Sequence, residues 1–129
     1  MLSLSLPGRV FLCLSPTDMR KSFDTLMGLV EQQLGQDPLA GDLFVFRSKR
    51  GDRLKLLYWD SDGLAIWYKR LEEGTFVFPP PDEQRQTVGS HGLLIRPAEL
   101  AMLLDGIDLA GIKRRKRYQR PAAKVPPST

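Results

Sequence analysis

Lys49-Arg50-Gly51-Asp52-Arg53-Leu54-Lys55-Leu56-Leu57-Tyr58-Trp59-Asp60-Ser61-Asp62-Gly63-Leu64-Ala65-Ile66-Trp67-Tyr68-Lys69-Arg70-Leu71-Glu72-Glu73-Gly74 reads as two β-strands joined by a tight turn. Asp and Gly in Asp60-Ser61-Asp62-Gly63 are turn formers, and apolar runs flank them on both sides. Alternation puts Arg53, Lys55, Leu57 and Trp59 on one face of the first strand. Leu54, Leu56, Tyr58 and Asp60 take the other. The second strand splits into Leu64, Ile66, Tyr68 and Arg70 against Ala65, Trp67, Lys69 and Leu71. The more apolar Leu54/Leu56/Tyr58 face is expected to meet the helices, leaving Arg53, Lys55 and Trp59 exposed. A one-residue slip reverses the second strand, so its register stays open.

The same segment carries both tryptophans, two of the three tyrosines and six of the nineteen Lys/Arg. Such a ribbon matches nucleic-acid chemistry. Cations meet phosphates, and flat rings stack on bases. The rings serve equally well as the core of a small sheet, since aromatic residues favour strands. Both readings remain open at this point.

Outward from the hairpin, residues 9–14 form a short apolar run that reads as a buried strand. Ser15-Pro16-Thr17-Asp18 signals a helix start, with Pro at the first helical position. Met19, Phe23, Leu26, Met27, Val30 and Leu34 then fall on one helical face. Gly35 is the stop, and Gly28 allows close approach of a neighbouring strand. Phe23→Ala is expected to cost about 3–5 kcal/mol if this stripe is buried. Residues 43–47, 53–59, 64–71 and 75–78 read as a meander of four strands, and Pro79-Pro80-Pro81 ends it. Residues 93–95 read as a further strand and residues 98–104 as a second helix. The expected fold class is α+β: a mostly antiparallel meander sheet with one long N-terminal helix and one short C-terminal helix covering one face.

With 129 residues and 42% hydrophobic content, one domain is expected over residues 1–112. That body has twelve Lys/Arg and fifteen Asp/Glu, a balance of −3. Residues 113–129 add seven Lys/Arg and no acid. They are Pro-rich toward the end and are expected to be disordered. Lone Cys13 points to a reducing cytoplasm. No apolar run reaches the roughly 20 residues of a membrane helix. The N-terminus also lacks a basic flank and cleavage site, so neither membrane attachment nor a signal peptide is expected.

Four ordered motifs carry a family resemblance. They are Asp18-Met19-Arg20-Lys21-Ser22-Phe23-Asp24, the run from Asp37-Pro38-Leu39-Ala40-Gly41-Asp42 to Phe46-Arg47, Lys55-Leu56-Leu57-Tyr58-Trp59-Asp60, and Tyr68-Lys69-Arg70-Leu71-Glu72-Glu73-Gly74-Thr75-Phe76. The series resembles the TnpB accessory proteins of the insertion sequence 66 family, from about Gly8 to about Tyr118. Two positions depart from the pattern. Phe78-Pro79 stands where Trp-Pro is frequent, and Asp42 stands where His is frequent. The resemblance implies a role in transposition beside a separate transposase, and no catalytic mechanism.

The residues agree with an absence of enzymatic chemistry. Asp60 and Asp62 sit in a turn that favours Asp for local hydrogen bonds. Glu72 and Glu73 precede another turn, and His91 has no Cys partners. No metal site, cofactor or phosphate-binding glycine loop is expected. The candidate nucleic-acid-binding residues are Arg20 and Lys21 at the helix start, Lys49, Arg50, Arg53, Lys55, Trp59, Lys69 and Arg70 of the hairpin, and Lys113, Arg114, Arg115, Lys116, Arg117 and Arg120 of the tail. Arg20 pairs equally well with Asp24 one helical turn on. The leading expectation is a cytoplasmic, nucleoid-associated factor that binds DNA at transposon ends. The alternatives are an adaptor that docks the transposase and an RNA-binding helper of transposase expression.

Overall fold

The computed structural model of the chain describes residues 8–108 and 113–114. Its strands are β1 (Val10–Cys13), β2 (Leu43–Arg47), β3 (Arg53–Asp60), β4 (Gly63–Arg70), β5 (Thr87–Val88), β6 (Gly92–Ile95), β7 (Ile107–Asp108) and β8 (Lys113–Arg114). The helices are α1 (Phe23–Gln33) and α2 (Pro97–Leu104). One six-stranded sheet runs β4-β3-β2-β1-β6-β5. β1 pairs parallel with β2 and antiparallel with β6, so the sheet is mixed.

This corrects the expected meander. Of the four strands expected in the meander, β2, β3 and β4 form and pair antiparallel in sequence order. Residues 75–78 join no strand. The parallel β1–β2 pair needs a crossover, which α1 provides. The hairpin forms as read, with Arg53 opposite Arg70 and Trp59 opposite Leu64. That register puts Arg53, Lys55, Leu57 and Trp59 on the same face as Leu64, Ile66, Tyr68 and Arg70.

Both faces of the sheet are buried, which overturns the one-sided layering. On one face, Phe11, Cys13, Phe44, Phe46 and Leu57 meet Leu26, Val30 and Leu34 of α1. On the other, Val10, Leu12, Leu43, Val45, Leu54 and Leu56 meet Phe76, Phe78 and the α2 residues Leu100 and Leu103. Two-sided burial explains the unbroken apolar runs of β1 and β2, where alternation carries no signal.

α1 is short. It begins at Phe23, not near Pro16, and it is not the long helix expected. Asp18 takes the Arg20 N–H through its side chain at 2.9 Å and the Lys21 N–H through its carbonyl at 3.1 Å. The Lys55 ammonium donates to the Met19 and Lys21 carbonyls at 2.8 and 2.7 Å. Those are the acceptors a helix through residues 19–25 would use. Residues 16–22 therefore form a loop, and Ser22 caps α1 with its N–H donated to Thr25 Oγ1 at 3.0 Å. Phe23 is 43% exposed, so the expected large cost of Phe23→Ala is withdrawn. Gly28 faces open space and mediates no close approach.

Residues 75–78 cross beneath the sheet. Phe76 donates its N–H to the Gly51 carbonyl at 2.7 Å. Arg47 Nη1 donates to the Phe76 carbonyl at 3.0 Å, and its guanidinium lies 4.0 Å from the Phe78 ring centroid. Desolvation pushes the pKa of Arg47 down from its usual value. Gly51 has φ +81, and a Cβ there would meet Thr75 at 3.2 Å. That turn accepts only glycine without strain.

Candidate nucleic-acid interface

Two distant segments of chain converge beside the N-terminal end of α1. Thr17, Asp18, Met19 and Arg20 form one wall of a groove of about 370 Å³. Ser48, Lys49, Arg50, Asp52 and Arg53 of the β2–β3 turn form the other. Thr17 ties the walls together by donating its N–H to the Arg47 carbonyl at 2.9 Å. The turn is held by Ser48, whose N–H donates to the Arg53 carbonyl at 3.0 Å while its Oγ accepts the Arg53 N–H at 3.1 Å.

The groove continues along the hairpin. Arg53, Tyr68, Arg70 and Glu72 line an adjoining hollow. Arg53 Nη1 donates to the Tyr68 hydroxyl at 3.3 Å, which raises the Arg53 pKa further above its usual value. Arg70 pairs with Glu72 at 2.9 Å. Arg20 binds Asp18, not Asp24, with Nη2 at 2.7 Å from Oδ2. The side-chain and backbone hydrogen bonds from Arg20 hold Asp18 down at about 2, against 3.8 for an ordinary Asp. Lys49 and Arg50 are exposed and make no ion pair among the described residues.

Five of the sequence candidates thus stand together: Arg20, Lys49, Arg50, Arg53 and Arg70. Others do not. Lys55 was expected exposed but is only 8% accessible. Its ammonium serves the 16–22 loop and lies 4.8 Å from the Tyr68 ring centroid. Lys21 is half-buried, with its carbonyl held by Lys55. Trp59 sits at the far end of the hairpin, roughly 20 Å along the strand from Arg53. Lys69 is exposed on the opposite face, across from Leu54. Lys113 and Arg114 form β8, antiparallel to β7. Arg115, Lys116, Arg117 and Arg120 lie outside the described residues.

Sequence reasoning missed Tyr68, whose place beside Arg53 and Lys55 follows only from the hairpin register. It also missed Arg85, Arg96 and Glu99. Arg85 donates to the buried Glu99 carboxylate at 2.7 Å, and Arg96 lies 3.5 Å from it. Burial opposes the Glu99 charge, but the Arg96 N–H and the Arg85 guanidinium outweigh it and hold the pKa down. This cluster fastens residues 82–86 to α2 and leaves no spare cation. Among the described residues no group of three His, Cys, Asp or Glu is placed to hold a metal ion. No described helix is long and apolar enough to cross a membrane.

A match to the family described as IS66 Orf2 like protein spans residues 8–114. The chain belongs to this family. IS66 Orf2-like membership gives it an accessory role in transposition. It is 40% identical over 113 residues to "Uncharacterized protein y4jC" of Sinorhizobium fredii (strain NBRC 101917 / NGR234), covering 88% of this chain and 90% of that one. It is 39% identical over 100 residues to "Uncharacterized protein y4hO" of the same strain, covering 78% and 81%. No solved structure matches. The IS66 Orf2-like match takes in every described strand and helix, and residues 115–129 lie beyond it. The two departures from the resemblance occupy packed positions. Asp42 accepts the Arg9 N–H at 2.8 Å beside β1, and Phe78 is the ring under Arg47.

Proposed function

We propose that this IS66 Orf2-like protein is a non-enzymatic accessory factor that binds DNA at the ends of its element, near the bacterial nucleoid. The observation that carries this reading is the convergence of Arg20, Lys49, Arg50 and Arg53 on one groove from two separate stretches of chain. Four cations around a groove complement a phosphate backbone. The basic residues from Lys113 onward add sequence-independent attraction. The groove orients the complex, and the tail raises affinity.

The test is a mobility shift of a labelled element end at several salt concentrations. If the four groove cations contact phosphates, they contribute about −3.6 to the slope of log affinity against log salt. Lys49→Ala, Arg50→Ala and Arg53→Ala combined are expected to flatten the slope by about 2.7 and to abolish preference for element ends. An unchanged slope and preference would sink the groove assignment. A protein that shifts no nucleic acid but co-purifies with its transposase would favour the adaptor reading instead.

Asp18 sharpens the test. It neutralises Arg20 and titrates near 2, so acidification to about pH 4 leaves the pair charged and intact. Asp18→Asn keeps a side-chain oxygen for the Arg20 N–H but removes the competing charge. DNA affinity at low salt is expected to rise by a few-fold, about one exposed ion pair's worth. A fall in affinity would show that Asp18 aims Arg20 and does not merely mask it.

A further inference from the structure

β4 is the terminal strand of the sheet, so the outer N–H and C=O groups of its eight residues have no strand partner among the described residues. Natural edge strands are blunted by charges, prolines or bulges along their length. Leu64-Ala65-Ile66-Trp67-Tyr68 contains none of these. Charges of opposite sign flank that run: Asp62 in the turn just before β4, and Lys69 and Arg70 at its other end. Such a strand is complementary to itself when reversed.

We infer that β4 pairs antiparallel with β4 of a second copy of this chain, with Ile66 on the two-fold axis. In that register Leu64 faces Tyr68 of the second copy, Ala65 faces Trp67, and Asp62 faces Arg70 with Lys69 alongside. Leu64 opposite Tyr68 is a favourable aliphatic–aromatic cross-strand pair. It would cover a ring that is 47% exposed in the single chain. An axis normal to the sheet relates antiparallel strands, so one continuous sheet forms and α1 of both copies lies on the same side. The two cationic grooves then open on one face, at opposite ends of the seam.

The experiment measures the full chain without DNA by size-exclusion chromatography with light scattering at micromolar concentration, independently of any nucleic-acid activity. The expected mass is twice the 14.6 kDa of one chain. Ile66→Lys sets two ammonium groups against each other on the axis and is expected to give monomer with an unchanged circular dichroism spectrum. If that variant unfolds, charge exchange decides. Asp62→Lys and Arg70→Glu are each expected to weaken association by about tenfold, because symmetry repeats each change, and the double variant restores it. A monomeric wild-type chain overturns the proposal. So does a dimer that survives Ile66→Lys, or one indifferent to both charge reversals.

Discussion

Phe44→Ala is expected to destabilise the protein by about 3–5 kcal/mol, enough to unfold much of a marginally stable domain. Phe44 is fully buried in the middle of the sheet. Its ring stacks on Phe11 with centroids 5.7 Å apart, and the same cluster holds Leu26 and Val30 of α1. Truncation leaves a hole walled by two strands and a helix, and none of these can move inward alone. Phe23→Ala is the control. That ring is 43% exposed, so its loss is expected to cost no more than about 1 kcal/mol. Urea denaturation of both variants checks the pair. Equal costs would mean that α1 presents a different face to the sheet.

Lys55→Met is expected to cost about 2–3 kcal/mol and to weaken DNA binding, although Lys55 does not line the groove. The ammonium spans the Met19 and Lys21 carbonyls at 2.8 and 2.7 Å. Methionine fills the space but donates nothing, so the loop carrying Arg20 loses its anchor to β3. Arginine is not expected to rescue it, because a broad planar guanidinium cannot take the place of a compact ammonium between two carbonyls. A urea midpoint within scatter of the wild type would show that the loop holds itself.

Much of the hairpin was legible because Asp60-Ser61-Asp62-Gly63 is strong turn chemistry between apolar runs. Its register was not, because the turn closes on Ser61 at φ +54, a conformation no propensity forces on serine. The layering was hidden for another reason. Leu54, Leu56 and Leu57 are all buried, so alternation could not say which side faced a helix. Lys55 looked like a solvated cation because a strand pattern cannot report a loop folded over it. The same loop hid the true start of α1. Ser15-Pro16 has the chemistry of a helix cap, but Lys55 and Asp18 occupy the groups a helix would need. At the candidate site, Arg20, Lys49, Arg50 and Arg53 were named singly. Their adjacency comes from the Thr17–Arg47 tie and from the β2–β3 turn, which are tertiary facts.

The position of β1 between β2 and β6 governs the order in which the chain can assemble. Val10 pairs with Leu43 on one side and Ile95 on the other. β3 and β4 are adjacent in sequence and need only a two-residue turn to pair, whereas β1 cannot complete its pairing until residues 92–95 have been made. Until then the nascent chain displays a bare strand flanked by apolar side chains. Pairings of such long sequence separation are slow to form and open to misassociation. The central strand is therefore sealed on both sides only after residues 92–95 have been made, and any truncation before Gly92 leaves it open on one side.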